Sequence, residues 1–200
     1  MEKDTLGISL IMLIVGFGVG YMFGGYQTPV VGTQMMQGGT MMGNNIDQHF
    51  IVQMIPHHEG AIEMAKVALE RSKRPEMLSL ANSIIEAQQK EINDMRTWYE
   101  EWFGSTVPSG GIGLPTRAGM MHMGGMTGKP DVLKSVETAE FDREFINEMI
   151  PHHEMAIMMA QMLQATTERP EMKQLADNII TSQSREIDMM RSWLTSWYKK

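Results

Sequence analysis

Two hundred residues can bury one substantial core, so a single globular domain with appendages is expected rather than two separate domains. The chain has no cysteine, which excludes disulfides, thiolate nucleophiles and thiolate metal sites and leaves His, Met and carboxylates as its only good metal ligands. It carries 23 methionines and a formal net charge of −7; the first exceeds ordinary usage and asks for a role, and the second argues against a nucleic-acid partner.

In chain order, the first element is Leu6 to Phe23, eighteen residues without a charge, long enough to cross a hydrocarbon core as a helix. Its flanks, Glu2-Lys3-Asp4 before and Gly24-Gly25-Tyr26 after, lack the basic start and Ala-x-Ala exit of a cleaved signal. The segment therefore reads as an uncleaved transmembrane anchor, with the amino terminus inside and the bulk of the chain extracytoplasmic. Secretion after signal cleavage is the alternative.

Residues 24–43 follow as a Gly- and Met-rich linker containing Met35, Met36, Met41 and Met42. A second such stretch, with Met120, Met121, His122, Met123 and Met126, lies in the loop 105–136. Glycine inside a helix costs about 1 kcal/mol relative to alanine, so both stretches read as mobile linkers. Such a segment has no core to fill, so its thioethers point to function, and thioether sulfur selects soft Cu(I) over Zn(II) or Mg(II).

The remainder is an internal duplication. Asp47 to Trp102 aligns without a gap to Asp142 to Trp197, with 28 identities in 56 positions. Each copy reads as two helices. The first runs from about Asp47 to Arg71, or Asp142 to Thr167, and the second opens at Pro75 or Pro170, where proline is tolerated in a first helical turn. Gly104 stands where a left-handed cap would end the earlier of the two second helices. Leu80, Ile84, Ile92 and Met95, with Leu175, Ile179, Ile187 and Met190, follow helical spacing. One αα-hairpin cannot bury such a face, so residues 44–104 and 137–200 are expected to pack as a four-helix bundle, all-α and almost without strand signals.

On the first helix of each copy, at about 100° per residue, His57, Ala61 and Met64 share a sector with Met54, His58 and Ala65 beside them. Met149, His152, His153 and Met159 repeat the pattern. Pro56 should kink the helix where the histidines begin. Met77, Met95, Met172 and Met190 read as core filler. The adjacent histidines, recurring beside Met54/Met149 and Met64/Met159, read as ligands. A ferritin-like di-iron site would need Glu-x-x-His, but Met54 and Met149 stand three residues before His57 and His152. The recurring Glu59/Glu154 and Glu91/Glu186 could still serve iron, but read first as solvated helix charges. No triad, phosphate loop or basic-aromatic surface is evident.

Met-Ile-Pro-His-His-Glu-x-Ala-Ile-x-Met-Ala at 54–65 and 149–160, with the downstream Arg-Pro-Glu-Met and Gln-x-x-Glu-Ile-x-x-Met-x-x-Trp, resembles the DUF305 family over nearly all of both repeats. The resemblance implies a ferritin-like four-helix bundle. It also implies a function like that of the family's exported CopM-like members, which bind Cu(I) and Ag(I) and support copper resistance. The implied ligands are Met54, His57, His58, Met64, Met149, His152, His153 and Met159. The expected protein is thus a copper carrier or buffer without chemical turnover or organic cofactor. It would meet copper ions and a copper exporter or another copper-carrying protein, and the membrane through its N-terminal helix. The alternative is a ferritin-like di-iron or hemerythrin-like oxidoreductase.

Overall fold

The computed structural model describes residues 38–108 and 128–198, with side chains from 46 onward in the first stretch. The Leu6–Phe23 segment, Met35, Met36, and the loop residues Met120, Met121, His122, Met123 and Met126 lie outside the described residues. Among the described residues no helix is long and apolar enough to cross a membrane.

The domain is all-α with paired helices. Four long helices, α1 (Gly38–Arg71), α2 (Pro75–Phe103), α4 (Phe141–Thr166) and α5 (Pro170–Tyr198), are joined by one short helix, α3 (Pro130–Ser135). α1 packs along α2 and α4 along α5, and between the hairpins the backbones come closest at α1 and α4.

Both hairpin turns are built alike. The hydroxyl of buried Ser72 accepts from the Arg74 amide and that of buried Thr167 from the Arg169 amide, each at 3.2 Å. Proline then opens the second helix, its missing N–H being one the helix start could not have used. α2 ends at Gly104 in the left-handed conformation, φ 67°, as its position predicts. Pro56 and Pro151 both lie inside helices.

Two expectations are corrected. α1 begins at Gly38, not near Asp47, so Met41 and Met42 fall on a helix and not in a linker. Extending a helix already held by tertiary packing costs only propensity, without a new nucleus, and Gly38 and Gly39 occupy the end, where fewer helical bonds are at stake. Pro130–Ser135, read as loop, is α3, with proline in its first turn, Asp131 beside it and Lys134 in the last turn. Arg71 of α1 anchors α3 by donating to the carbonyls of Leu133 (2.6 Å), Lys134 (2.8 Å) and Val136.

The core forms two clusters. One joins Phe50, Ile51, Met54 and Ile55 of α1 and Ile92, Met95 and Tyr99 of α2 to Ala160 and Leu163 of α4 and Met172 and Ile179 of α5. The other joins Met64, Val67, Met77 and Ile84 to Phe141, Phe145, Met149, Ile187 and Met190. Each cluster pairs the start of one repeat's first helix with the end of the other's, so α1 and α4 run antiparallel across the middle. Met77, Met95, Met172 and Met190 are fully buried core residues, as their spacing implies, and each such side chain contributes roughly 1.5–3 kcal/mol.

Candidate metal centre

The two Pro-His-His motifs meet where α1 passes α4. Ala61, Ala65, Ala156 and Ala160 are all fully buried, and their small side chains let the helices approach. At that approach the rings of His57 and His152 lie 3.8 Å apart between centroids, tilted by 40°. The neighbouring rings, His58 and His153, stand 6.3 and 6.4 Å from their respective partners.

All four histidines are buried, yet both ring nitrogens of His57 and of His152, and Nδ1 of His58 and of His153, have no hydrogen-bond partner. Leaving such a group unsatisfied costs about 1–3 kcal/mol, so six atoms of this kind at one helix crossing are expensive unless they bind something. Burial, reinforced by the positive charge His58 and His153 can carry, pushes His57 down to about 3. Burial, followed by His57 and the other two rings, pushes His152 well below the ordinary histidine range. Both rings are therefore neutral at physiological pH and present lone pairs, the form that binds metal.

Met64 completes one side of this arrangement. A Cβ at Gly128 would stand 2.9 Å from Met64 Sδ and 3.4 Å from His152 Cδ2, so a thioether of the first repeat and an imidazole of the second converge on one point. Gly128 has φ 72°, a left-handed conformation that favours glycine, and its lack of a side chain lets this stretch of chain lie against the thioether where it stands. Beside it opens a groove of about 530 Å³ lined in part by Glu59, Glu63, Lys129 and Asp131. Met54 and Met149 are fully buried in separate clusters, and Met159 is only partly buried.

The carboxylates divide. Glu59 and Glu154 are half exposed and pair with Arg96 and Arg191, as solvated helix charges would. Glu91 and Glu186 overturn that reading: His58 Nε2–H donates to Glu91 Oε2 at 2.7 Å and His153 Nε2–H to Glu186 Oε2 at 2.6 Å. A carboxylate can only accept, so in the neutral ring the lone pair is left on Nδ1, the arrangement by which outer carboxylates orient metal-binding imidazoles. Among the described residues no three His, Asp or Glu side chains converge on a point that could hold a metal.

Gln88 and Gln183, almost fully buried with Oε1 unpartnered in each, were not singled out from the sequence. The signal was there, since both copies place a glutamine four residues before the buried Ile92 or Ile187.

Several known proteins resemble this chain. CopM in its Cu(I)-bound form is 46% identical, over 76% of this chain and 97% of that one, with a TM-score of 0.64. CopM in its Cu(II)-bound form is 48% identical over the same shares, with a TM-score of 0.66. A DUF305 fragment from Deinococcus radiodurans superposes with a TM-score of 0.64 at 27% identity, over 76% of this chain and 96% of that one. An uncharacterized protein of Acanthamoeba polyphaga mimivirus is 43% identical over 65 residues, 32% of this chain and 43% of that protein's length. The model of the domain of unknown function DUF305 matches residues 47–199, both repeats and the helix crossing between them, and the chain belongs to that family.

Proposed function

We propose that this protein binds Cu(I) and Ag(I) outside the cytoplasm, holding copper or handing it to an exporter, with no chemical turnover. The observation that carries the reading is the His57–His152 crossing, with its buried, neutral, unpartnered imidazoles and the Met64 thioether, like His152, beside Gly128. Imidazole and thioether together suit a soft monovalent ion. CopM, which binds Cu(I), Cu(II) and silver, supports it. On this reading the paired helices form a ferritin-like four-helix bundle whose repeats share their ligands. His57, His58, His152 and His153 with Met54, Met64, Met149 and Met159 are the ligand pool, and Glu91 and Glu186 orient it.

The uncharged stretch Leu6–Phe23 supports anchorage with the domain extracytoplasmic. Met35, Met36, Met41, Met42, Met120, Met121, His122, Met123 and Met126 would capture the ion on its way in. A di-iron reading has little support, because Glu91 and Glu186 are each turned to a histidine and, among the described residues, no third hard ligand joins them.

The test is an anaerobic Cu(I) titration of the full chain against a chromogenic competitor, with Fe(II) in parallel. Tight Cu(I) uptake in the wild type that falls by the share of the buried centre in His57→Ala/His152→Ala supports the reading. Cu(I) left with the competitor, or Fe(II) taken up in pairs, overturns it.

A further inference from the structure

The described residues expose only four large hydrophobic side chains, and three are methionines: Met158 (50%), Met162 (60%) and Met189 (37%). Two of these lie on α4 within Met155, Met158, Met159 and Met162, spaced i, i+3, i+4 and i+7. Every edge of that quartet is an i,i+3 or i,i+4 step, for which Cβ atoms lie about 5–6 Å apart, so long flexible thioethers on it can converge on one ion. Around the helix axis the four fall in one sector of roughly 100°. Met158 is at the outer edge and Met159, partly buried, is at the inner edge next to His152, whose two ring nitrogens are buried and unpartnered.

The first repeat lacks this feature. Its corresponding positions are Gly60, Glu63, Met64 and Val67, of which Met64 and Val67 are buried and Glu63 is exposed. Methionine differs from leucine in its unbranched, flexible chain and in its thioether sulfur, and both let several such side chains turn toward one soft ion.

We propose that Met155, Met158, Met159 and Met162 form a second, surface site on α4 for a soft monovalent metal ion, opening onto the buried histidines from the second repeat only. All four ligands are thioethers, which have no proton to lose, so the site binds without proton release. The inference rests on the soft-metal reading of the buried centre, and its test separates the two.

Full-length chain labelled with ¹³C at the methionine ε-methyl groups is titrated with Ag(I) and followed by NMR, the Met158 and Met162 signals being those absent from Met158→Leu and Met162→Leu. These signals shift with Ag(I), and shift equally in His57→Ala/His152→Ala. Competition titration shows Met158→Leu/Met162→Leu taking up about one Ag(I) fewer per chain, with unchanged circular dichroism, since both side chains are exposed. Met158 and Met162 signals that stay still while those of buried methionines move would overturn the surface site and leave the buried centre standing. Shifts at Met158 and Met162 with uptake unaffected by the histidine changes would remove the buried centre and leave the surface site.

Discussion

The two repeats share half their residues and the same His–Glu, Arg–Glu and Trp–Trp contacts, yet they differ in what covers them. Arg74 stacks on Trp197 at 4.2 Å and pairs with Asp142, while Arg169 stacks on Trp102 at 4.1 Å and pairs with Asp47. Each arginine thus latches its own turn onto the other hairpin. In the first repeat, however, α3 and Gly128 close over α1, held by Arg71, and bury Met64 and Val67. In the second, Thr166 replaces that arginine, Met159 is partly open and Met162 is exposed. Duplication has kept the interior, where a contact made by one copy is also made by its twin, and has let the outer faces diverge. An ion would meet two non-equivalent approaches to one symmetric centre.

The largest expected effect tests the symmetric part. His57 and His152 are held neutral in the fold, whereas in the unfolded chain each takes a proton below its ordinary value near 6.5. As pH falls from about 6.5 toward 3, the unfolded state binds more protons. Stability of the metal-free protein is therefore lost at up to about 1.4 kcal/mol per pH unit per histidine. Urea unfolding across that range should show the slope, with His57→Gln and His152→Gln each removing a similar share. A slope that survives in the double variant would mean other groups set the acid limit.

The latches come next, because they are alike in geometry and unlike in burial. Asp47 is 1% exposed and the Asp142 side chain 15%. Arg169→Ala strands a buried charge and should cost about 3–5 kcal/mol, whereas Arg74→Ala should cost roughly 1 kcal/mol. Burial already raises the Asp47 carboxyl above the usual range against the pull of Thr167 and Arg169. The Arg169→Ala loss should therefore shrink as pH falls and Asp47 takes up a proton. Equal losses in the two variants would show that burial does not distinguish the latches.

Much of this was legible in the sequence because it is local or repeated. The duplication shows as self-similarity along the chain, the turns at Pro75 and Pro170 and the Gly104 cap from residue type, and the His-His motifs from spacing within one helix. The role of Glu91 was not, since a glutamate on a helix is ordinarily solvated. Its contact with His58, 33 residues away, depends on the register between α1 and α2, which no single-helix pattern contains. The open methionine face escaped for a different reason: methionine is at home both in cores and on metal, so its spacing alone does not say whether Met158 or Met162 is covered. The α3 cover depends on one arginine reaching carbonyls more than 60 residues away.

A smaller effect follows at the twin methionines. Met64 is fully buried, and Met64→Ala should cost about 2–5 kcal/mol through the cavity it leaves. Met159→Ala, at a partly open position, can relax into solvent and should cost about 1 kcal/mol. Thermal unfolding of the two variants measures the difference directly, and equal costs would mean the second repeat is covered as well as the first.

The smallest stability effect carries the sharpest information about the centre. Gly104 and Gly128 both sit at positive φ, 67° and 72°, so alanine at either place costs about 1–2 kcal/mol of backbone strain. They differ in what the new methyl group meets. At Gly104 nothing lies within 4 Å; at Gly128 it would stand 2.6 Å from Met64 Cε and 2.9 Å from Sδ. Since Cε is the end of a flexible side chain, Gly128→Ala should add little further loss of stability but turn the Met64 thioether away from His152. Gly104→Ala is thus the control for backbone strain, and a fall in Ag(I) affinity in Gly128→Ala alone would assign that fall to the displaced sulfur. If the two variants bind alike, Met64 is core filler despite its place beside Gly128 and the centre, and the first repeat supplies histidine alone.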